Sequence, residues 1–256
     1  AAVGVAIYNG TTGERPPPQA LVPAATVMAD AGPSGVVIVR DGAVIRVDEQ
    51  SPPGRLVIPA PRRAPWPDGL AVGRFRVWVS AQGLVRGYAR GGRSVRAVRV
   101  TGSEALLLAE GNRLLWAATP YSDVARYGRL TQRPMVFRGV RVPGAVRDIE
   151  ARGEDAWVML AAPGRRTVVA RVTAGGGVLV VADLPGRSTG IAAGTRTLWL
   201  LNDAGLYRID MDTLRMAGPL PVQPGSDELT AGPGRVVTVD SQTGIALDRT
   251  LGGRVF

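Results

Sequence analysis

Any chemistry in this chain has to come from carboxylates, arginines and a few aromatic side chains, because its 256 residues include no His, no Cys and no Lys. All 31 basic residues are arginines, set against 21 carboxylates. The missing side chains exclude Cys/His zinc sites, thiol nucleophiles, disulfides, Ser-His-Asp triads and histidine general bases. Asp203, Asp227 and Asp240 carry the oxygen donors that a hard cation such as Ca²⁺ prefers. None of them lies in a D-x-D-x-D loop, so surface-turn roles are the expectation, and no metal or other cofactor is predicted.

The remaining candidates are residues that loops on one face of a rigid scaffold would present: Arg63, Trp66, Asp68, Tyr121, Asp123, Arg147, Asp148, Arg187, Asn202, Asp203, Asp227 and Asp240. Trp66 stands between Pro65 and Pro67, and the flanking prolines lower the entropy cost of holding the ring outward. Packing over a sheet edge is the competing fate of that ring. No residue is expected to be catalytic.

A repeated element would place these side chains. Aligned on one β-prone core position, copies fall at Ile38, Trp78, Trp116, Trp157, Trp199 and Val237. Each begins with a strand of small residues ending on glycine, as in Leu70-Ala-Val-Gly73, Leu108-Ala-Glu-Gly111 and Ile191-Ala-Ala-Gly194. A second strand carries the Trp or aliphatic residue, a polar turn with Gly or Asn follows, and a third strand alternates apolar and polar residues, as in Leu206-Tyr-Arg-Ile-Asp210. The fourth strand is short and bounded by Pro or Gly, as in Arg55-Leu-Val-Ile58 and Pro219-Leu-Pro-Val222. A period of roughly 40 residues with four strands per copy is the mark of an all-β β-propeller, in which each blade buries its faces only against its neighbours. Small residues suit the innermost strand, where blades converge, and a Trp recurring at one repeat position is core.

One propeller domain over residues 1–256 is therefore expected. Its six four-stranded blades would fall roughly at 24–64, 65–102, 103–144, 145–187, 188–225 and 226–256, with seven blades as the alternative. Residues 1–23 would form a linker and a strand, Val3-Gly-Val-Ala-Ile-Tyr8, that completes the last blade and covers its open edge.

The net charge of +10 makes an anionic ligand or cell-envelope polymer, or another protein, the expected partner. Its arginines are dispersed along the chain and aromatics make up only 5%, so specific nucleic-acid binding is not expected. Replacement of every Lys by Arg also fits the codon usage of a GC-rich genome. Within the densest stretch, Arg86 to Arg99, the part from Arg90 to Arg99 alternates arginine with small and apolar residues, which predicts side chains covering one outward strand face.

Gly194-Thr-Arg-Thr-Leu-Trp-Leu-Leu-Asn202 followed by Gly205-Leu-Tyr-Arg-Ile-Asp-Met-Asp-Thr-Leu214 resembles the YVTN/NHL-type propeller repeats of actinobacterial extracytoplasmic proteins, including sensor regions of membrane-bound kinases. Weaker copies run from Gly73 to Arg86 and from Gly232 to Asp248, whereas the copy with Thr119-Pro-Tyr-Ser-Asp123 departs from the pattern. The resemblance implies a rigid extracytoplasmic bacterial platform, tethered to a membrane through a segment outside this chain, that senses a ligand or binds a protein without catalysis. A metal-dependent hydrolase or lactonase-like enzyme using carboxylate-bound Ca²⁺ is the alternative.

Overall fold

Runs of β-branched and aromatic residues punctuated by glycine favour strands joined by tight reversals, and strands are the only regular elements among the described residues of the computed structural model. Described are residues 26–32, 35–40, 43–47, 55–58, 67–73, 75–89, 92–102, 104–222, 225–226, 228–232, 235–240 and 245–250.

The strands form six antiparallel sheets, each a simple meander. The first holds β1 (Thr26–Gly32), β2 (Gly35–Arg40), β3 (Ala43–Val47) and β4 (Arg55–Ile58). The second holds β5 (Gly69–Val72), β6 (Arg76–Ala81), β7 (Leu84–Ala89) and β8 (Ser94–Arg99), and the third β9 (Leu107–Glu110), β10 (Leu114–Ala118), β11 (Val124–Arg129) and β12 (Phe137–Arg141). The fourth is β13 (Ala145–Arg152), β14 (Asp155–Ala162), β15 (Arg166–Val172) and β16 (Val178–Pro185), and the fifth β17 (Ser188–Ala193), β18 (Thr197–Asn202), β19 (Gly205–Asp210) and β20 (Met216–Leu220). The sixth shows β21 (Glu228–Gly232), β22 (Arg235–Asp240) and β23 (Ile245–Thr250). The first strands touch in sequence, β1 on β5, β5 on β9, β9 on β13, β13 on β17 and β17 on β21, and β21 returns to β1. This cyclic packing of antiparallel meanders, five of them four-stranded among the described residues, is the propeller fold that the repeat predicts. The proposed closing strand at residues 3–8 lies outside the described residues.

The repeat residues occupy the positions that their chemistry suits. Trp78, Trp116, Trp157 and Trp199 lie on second strands and are buried, at most 2% exposed. Three of them pair across the ladder with alanine, at Ala71, Ala109 and Ala192, while Trp157 faces Glu150. Glycine in or just after a first strand reflects close approach of the next sheet: a Cβ on Gly69 of β5 would overlap the Leu106 carbonyl, and one on Gly111, which follows β9, would overlap the Gly153 carbonyl.

One strand is displaced from its expected place. The fourth strand of the fifth sheet begins at Met216, before the expected Pro219-Leu-Pro-Val222, because the chain reverses early. Asp210 Oδ1 accepts from the Asp212 and Thr213 amides at 3.1 and 2.7 Å, and these bonds hold the Asp210 carboxyl below its ordinary value, Thr213 contributing most. The tight Asx-type turn brings Met216 opposite Ile209.

Candidate functional site

The loops that enter a sheet and those between its second and third strands do share one face, as hydrogen bonds between them show. Asp68, just before β5, accepts from Ser80 Oγ and the Gln82 amide, both at 2.6 Å. Between β10 and β11, Tyr121 N donates to Val146 O at 2.7 Å, and Val146 N donates to Ser122 O at 2.8 Å. The Arg187 amide, before β17, donates to Asp203 Oδ1 at 2.9 Å, and the Asp203 amide donates back to Arg187 O at 3.2 Å.

On this entry face the most exposed aromatic side chain among the described residues belongs to Tyr121, 67% exposed. Its φ of 66° is left-handed, a conformation that a bulky residue adopts only when its surroundings impose it. Here the imposing contacts are the two main-chain bonds to Val146. The Arg147 guanidinium stacks on the phenol, with Cζ 4.1 Å from the ring centroid. Arg147 reaches it because the ladder slips between Val146 and Asp148, a bulge that re-aims a side chain.

Asp148 turns the other way. Its carboxylate accepts from its neighbour Ile149 N at 2.8 Å and, across to the fifth sheet, from Ile191 N at 3.1 Å. Burial pushes its pKa up to about 6, against the lowering effect of those two amides. The predicted set thus yields one patch running over three sheets, from Tyr121 to Arg147 and Asp148 and on to β17. The adjoining Thr189 sits at a second ladder slip, between Ser188 and Gly190, and the sequence reading missed it.

The other predicted residues do not converge on that patch. Asp123 pairs with Arg141 at 2.7 Å on the surface. Asn202 is buried, donating from Nδ2 to Pro185 O at 3.0 Å and accepting from Ala204 N at 2.9 Å. Asp68 and Asp203 spend their oxygens on turns, a use of short carboxylates near backbone amides that competes with ligand binding. Asp240 closes β22 opposite Ile245, and Arg63, Trp66 and Asp227 lie outside the described residues. No group of three or more metal-ligating side chains occurs among the described residues.

In the arginine-rich stretch Arg86, Arg93 and Arg99 are exposed as expected, and Arg96 is the exception. Arg96 on β8 is half-buried, and its Nη1 donates to Leu130 O of the third sheet at 2.8 Å. Arg99 stays on the surface, donating to Gly102 O at 2.6 Å. Alternation along β8 places Arg96 on the side that meets the next sheet rather than outward.

The opposite face carries a shallow cavity of about 420 Å³ lined by Asn112, Arg152, Glu154, Asp155, Arg171 and Asp212 among others. Its carboxylates are each matched by an arginine: Glu154 by Arg113 at 3.6 Å, Asp155 by Arg171 at 2.6 Å and Asp212 by Arg196 at 2.9 Å.

Neither a protein-family model nor a curated protein matches the sequence. Solved structures do match in shape. The β-propeller domain of Myceliophteria thermophila Cps50 (Swd1) superposes with a TM-score of 0.58 at 11% identity, covering 89% of this chain and 97% of that one. A chain of a nidogen/laminin complex gives 0.62 at 13% identity over 84% and 88%, and the WD40 repeats of RRP9 give 0.57 at 15% identity over 80% and 69%. At these identities the similarity establishes the propeller fold.

Proposed function

We propose that this propeller is a non-catalytic protein-binding module, an extracytoplasmic interaction or sensor domain of a larger bacterial protein, and that Tyr121 with Arg147 is the centre of its recognition surface. The observation that carries the reading is the exposed Tyr121 ring, held in a left-handed backbone and capped by a guanidinium at 4.1 Å. Tyr and Arg concentrate binding energy at protein interfaces: Tyr presents a large, rigid, partly polar surface at low entropic cost, and Arg a planar fork of N–H donors, here restrained by stacking on the ring. The nidogen/laminin complex among the similar structures supports a binding role, and the repeat resemblance in the fifth sheet is what favours a place outside the cytoplasm. Catalysis is disfavoured because the chain has no histidine or cysteine, and Asp68, Asp148 and Asp203 are committed to backbone amides.

A displayed library of random peptides, selected on the intact chain, tests the reading. Enriched peptides should bind the wild type and lose about tenfold or more in affinity on Tyr121→Ala or Arg147→Ala, while Arg113→Ala on the opposite face leaves binding unchanged. Failure to enrich any peptide, or equal binding by the Tyr121→Ala/Arg147→Ala protein, would refute the assignment.

A further inference from the structure

Arg113, Arg141, Arg166, Arg171 and Arg196, on the third to fifth sheets and their loops, each meet a carboxylate of the protein. Arg147 meets none. Among the described residues its guanidinium makes one directed contact, with the face of the Tyr121 ring, although the residue is half-buried. Stacking engages the flat of a guanidinium and leaves its edge, where the N–H groups point, free to donate. A charged group that has lost part of its water without gaining a hydrogen bond is stabilised when a partner supplies the acceptor.

The acids nearest in sequence are held away from it. Asp148, beyond the ladder slip, bonds Ile149 N and Ile191 N, and Asp123, in the same loop as Tyr121, pairs with Arg141 at 2.7 Å. Tyr121 adds a second open donor, since its ring is exposed and its hydroxyl bonds no described residue. The two main-chain bonds to Val146 fix the left-handed backbone beneath it, so phenol and guanidinium are in position before a partner arrives. Such pre-organisation lowers the entropic cost of binding. The charge to be matched is single, because no second cation stacks on the ring. A carboxylate fits, with one charge and two oxygens for the guanidinium fork, whereas a phosphate group would keep much of its charge uncompensated.

We propose that the partner of the Tyr121 surface is an acidic peptide segment, anchored by an Asp or Glu side chain whose carboxylate takes the N–H edge of Arg147 while the segment lies against the phenol. The inference rests on the protein-binding reading of this surface and adds the chemistry that the partner must carry. The probes are three libraries of short displayed peptides, random except for a central position fixed as Glu, Gln or Arg, each selected on the intact chain.

Binders should come from the Glu library, and changing the fixed Glu of a selected peptide to Gln should weaken it about tenfold on the wild type. On Arg147→Gln the same change in the peptide should cost little, since the pair is already broken. Arg147→Glu should shift selection to the Arg library, a reversal that a purely structural role for Arg147 would not produce. Binders that need Tyr121 but come equally from all three libraries, or a Glu-to-Gln loss of the same size on wild type and Arg147→Gln, would overturn the carboxylate anchor and leave the Tyr121 surface standing as an interface. Glu-library binders indifferent to both Tyr121→Ala and Arg147→Gln would reflect only the net charge of +10 and would overturn both, as would the absence of any binder.

Discussion

Two neighbouring junctions in the ring solve the same problem differently. Between the second and third sheets, the buried Trp78 donates its indole N–H to Glu110, and Gly73 lacks a Cβ that would overlap the Glu110 carboxylate. Between the third and fourth sheets, Trp116 holds the corresponding ladder position, but its Nε1 is buried without a partner among the described residues. The registers supply the reason. Glu110 follows Ala109, the ladder partner of Trp116, and the residue that follows Glu150, the ladder partner of Trp157, is Ala151. An alanine has no acceptor to offer. The second junction is held instead by apolar packing, in a cluster joining Trp116, Tyr127, Val146, Ile149, Val158 and Leu160, with the Tyr127 ring 5.1 Å from the Trp116 ring and tilted by 45°. The repeat dictates where the ring goes. One residue outside the repeat pattern decides whether its N–H is satisfied.

The largest effect expected from breaking either junction is removal of the ring. Trp78→Ala and Trp116→Ala should each cost about 3–5 kcal/mol, measured by denaturant unfolding. Trp78→Ala should lie at the upper end, because it also strips the Glu110 carboxylate of a donor. A clearly greater loss for Trp116→Ala would show that the apolar junction is the stronger and that the Glu110 bond contributes little.

Trp→Phe sharpens the contrast, since it keeps an aromatic ring and deletes the N–H. At position 78 it should cost about 2–3 kcal/mol, combining lost volume with loss of one hydrogen bond to a part-buried carboxylate. At position 116 the lost volume is offset by removal of an unsatisfied buried donor, so the cost should be about 1 kcal/mol or less. Equal costs at the two positions would mean that the N–H is satisfied in both or in neither.

The architecture was legible because it rests on properties a sequence displays: a recurring core residue, small residues where strands converge, and turn glycines. Trp78, Trp116, Trp157 and Trp199 all lie where the pattern puts them. The shared entry face was legible as well, through the order of strands in a meander. Which loop residues meet was not. Tyr121 and Arg147 are 26 positions apart, and they stack because of a ladder slip at Val146 that no composition signal announces. Asp68, Asp203 and Asn202 look like ligands on paper, yet their short polar side chains are consumed by nearby backbone groups. Arg96 was misread for a related reason. Alternation along a strand separates two faces, but it does not say which of them the next sheet will cover.

The smallest expected effect concerns the next junction round, where Asp148 links β13 to β17 through Ile191 N. Like Glu110 it is a carboxylate at a sheet boundary, but only main-chain amides compensate its burial, and its pKa rises from the ordinary carboxylate range to about 6. The folded state therefore holds a proton on Asp148 between about pH 4 and 6 that the unfolded chain has released. The stabilising contribution is full below about pH 4 and is lost as pH rises through 6. A shift of this size corresponds to at most about 3 kcal/mol, and partial solvent access reduces the expected change to about 1–2 kcal/mol. Asp148→Asn cannot titrate. Unfolding free energies measured from pH 4 to 7 should therefore decline more steeply for the wild type than for Asp148→Asn, the two curves converging toward neutral pH or crossing in favour of the variant. Parallel curves would show that Asp148 stays ionised throughout, satisfied by its two amides as fully as Glu110 satisfies Trp78.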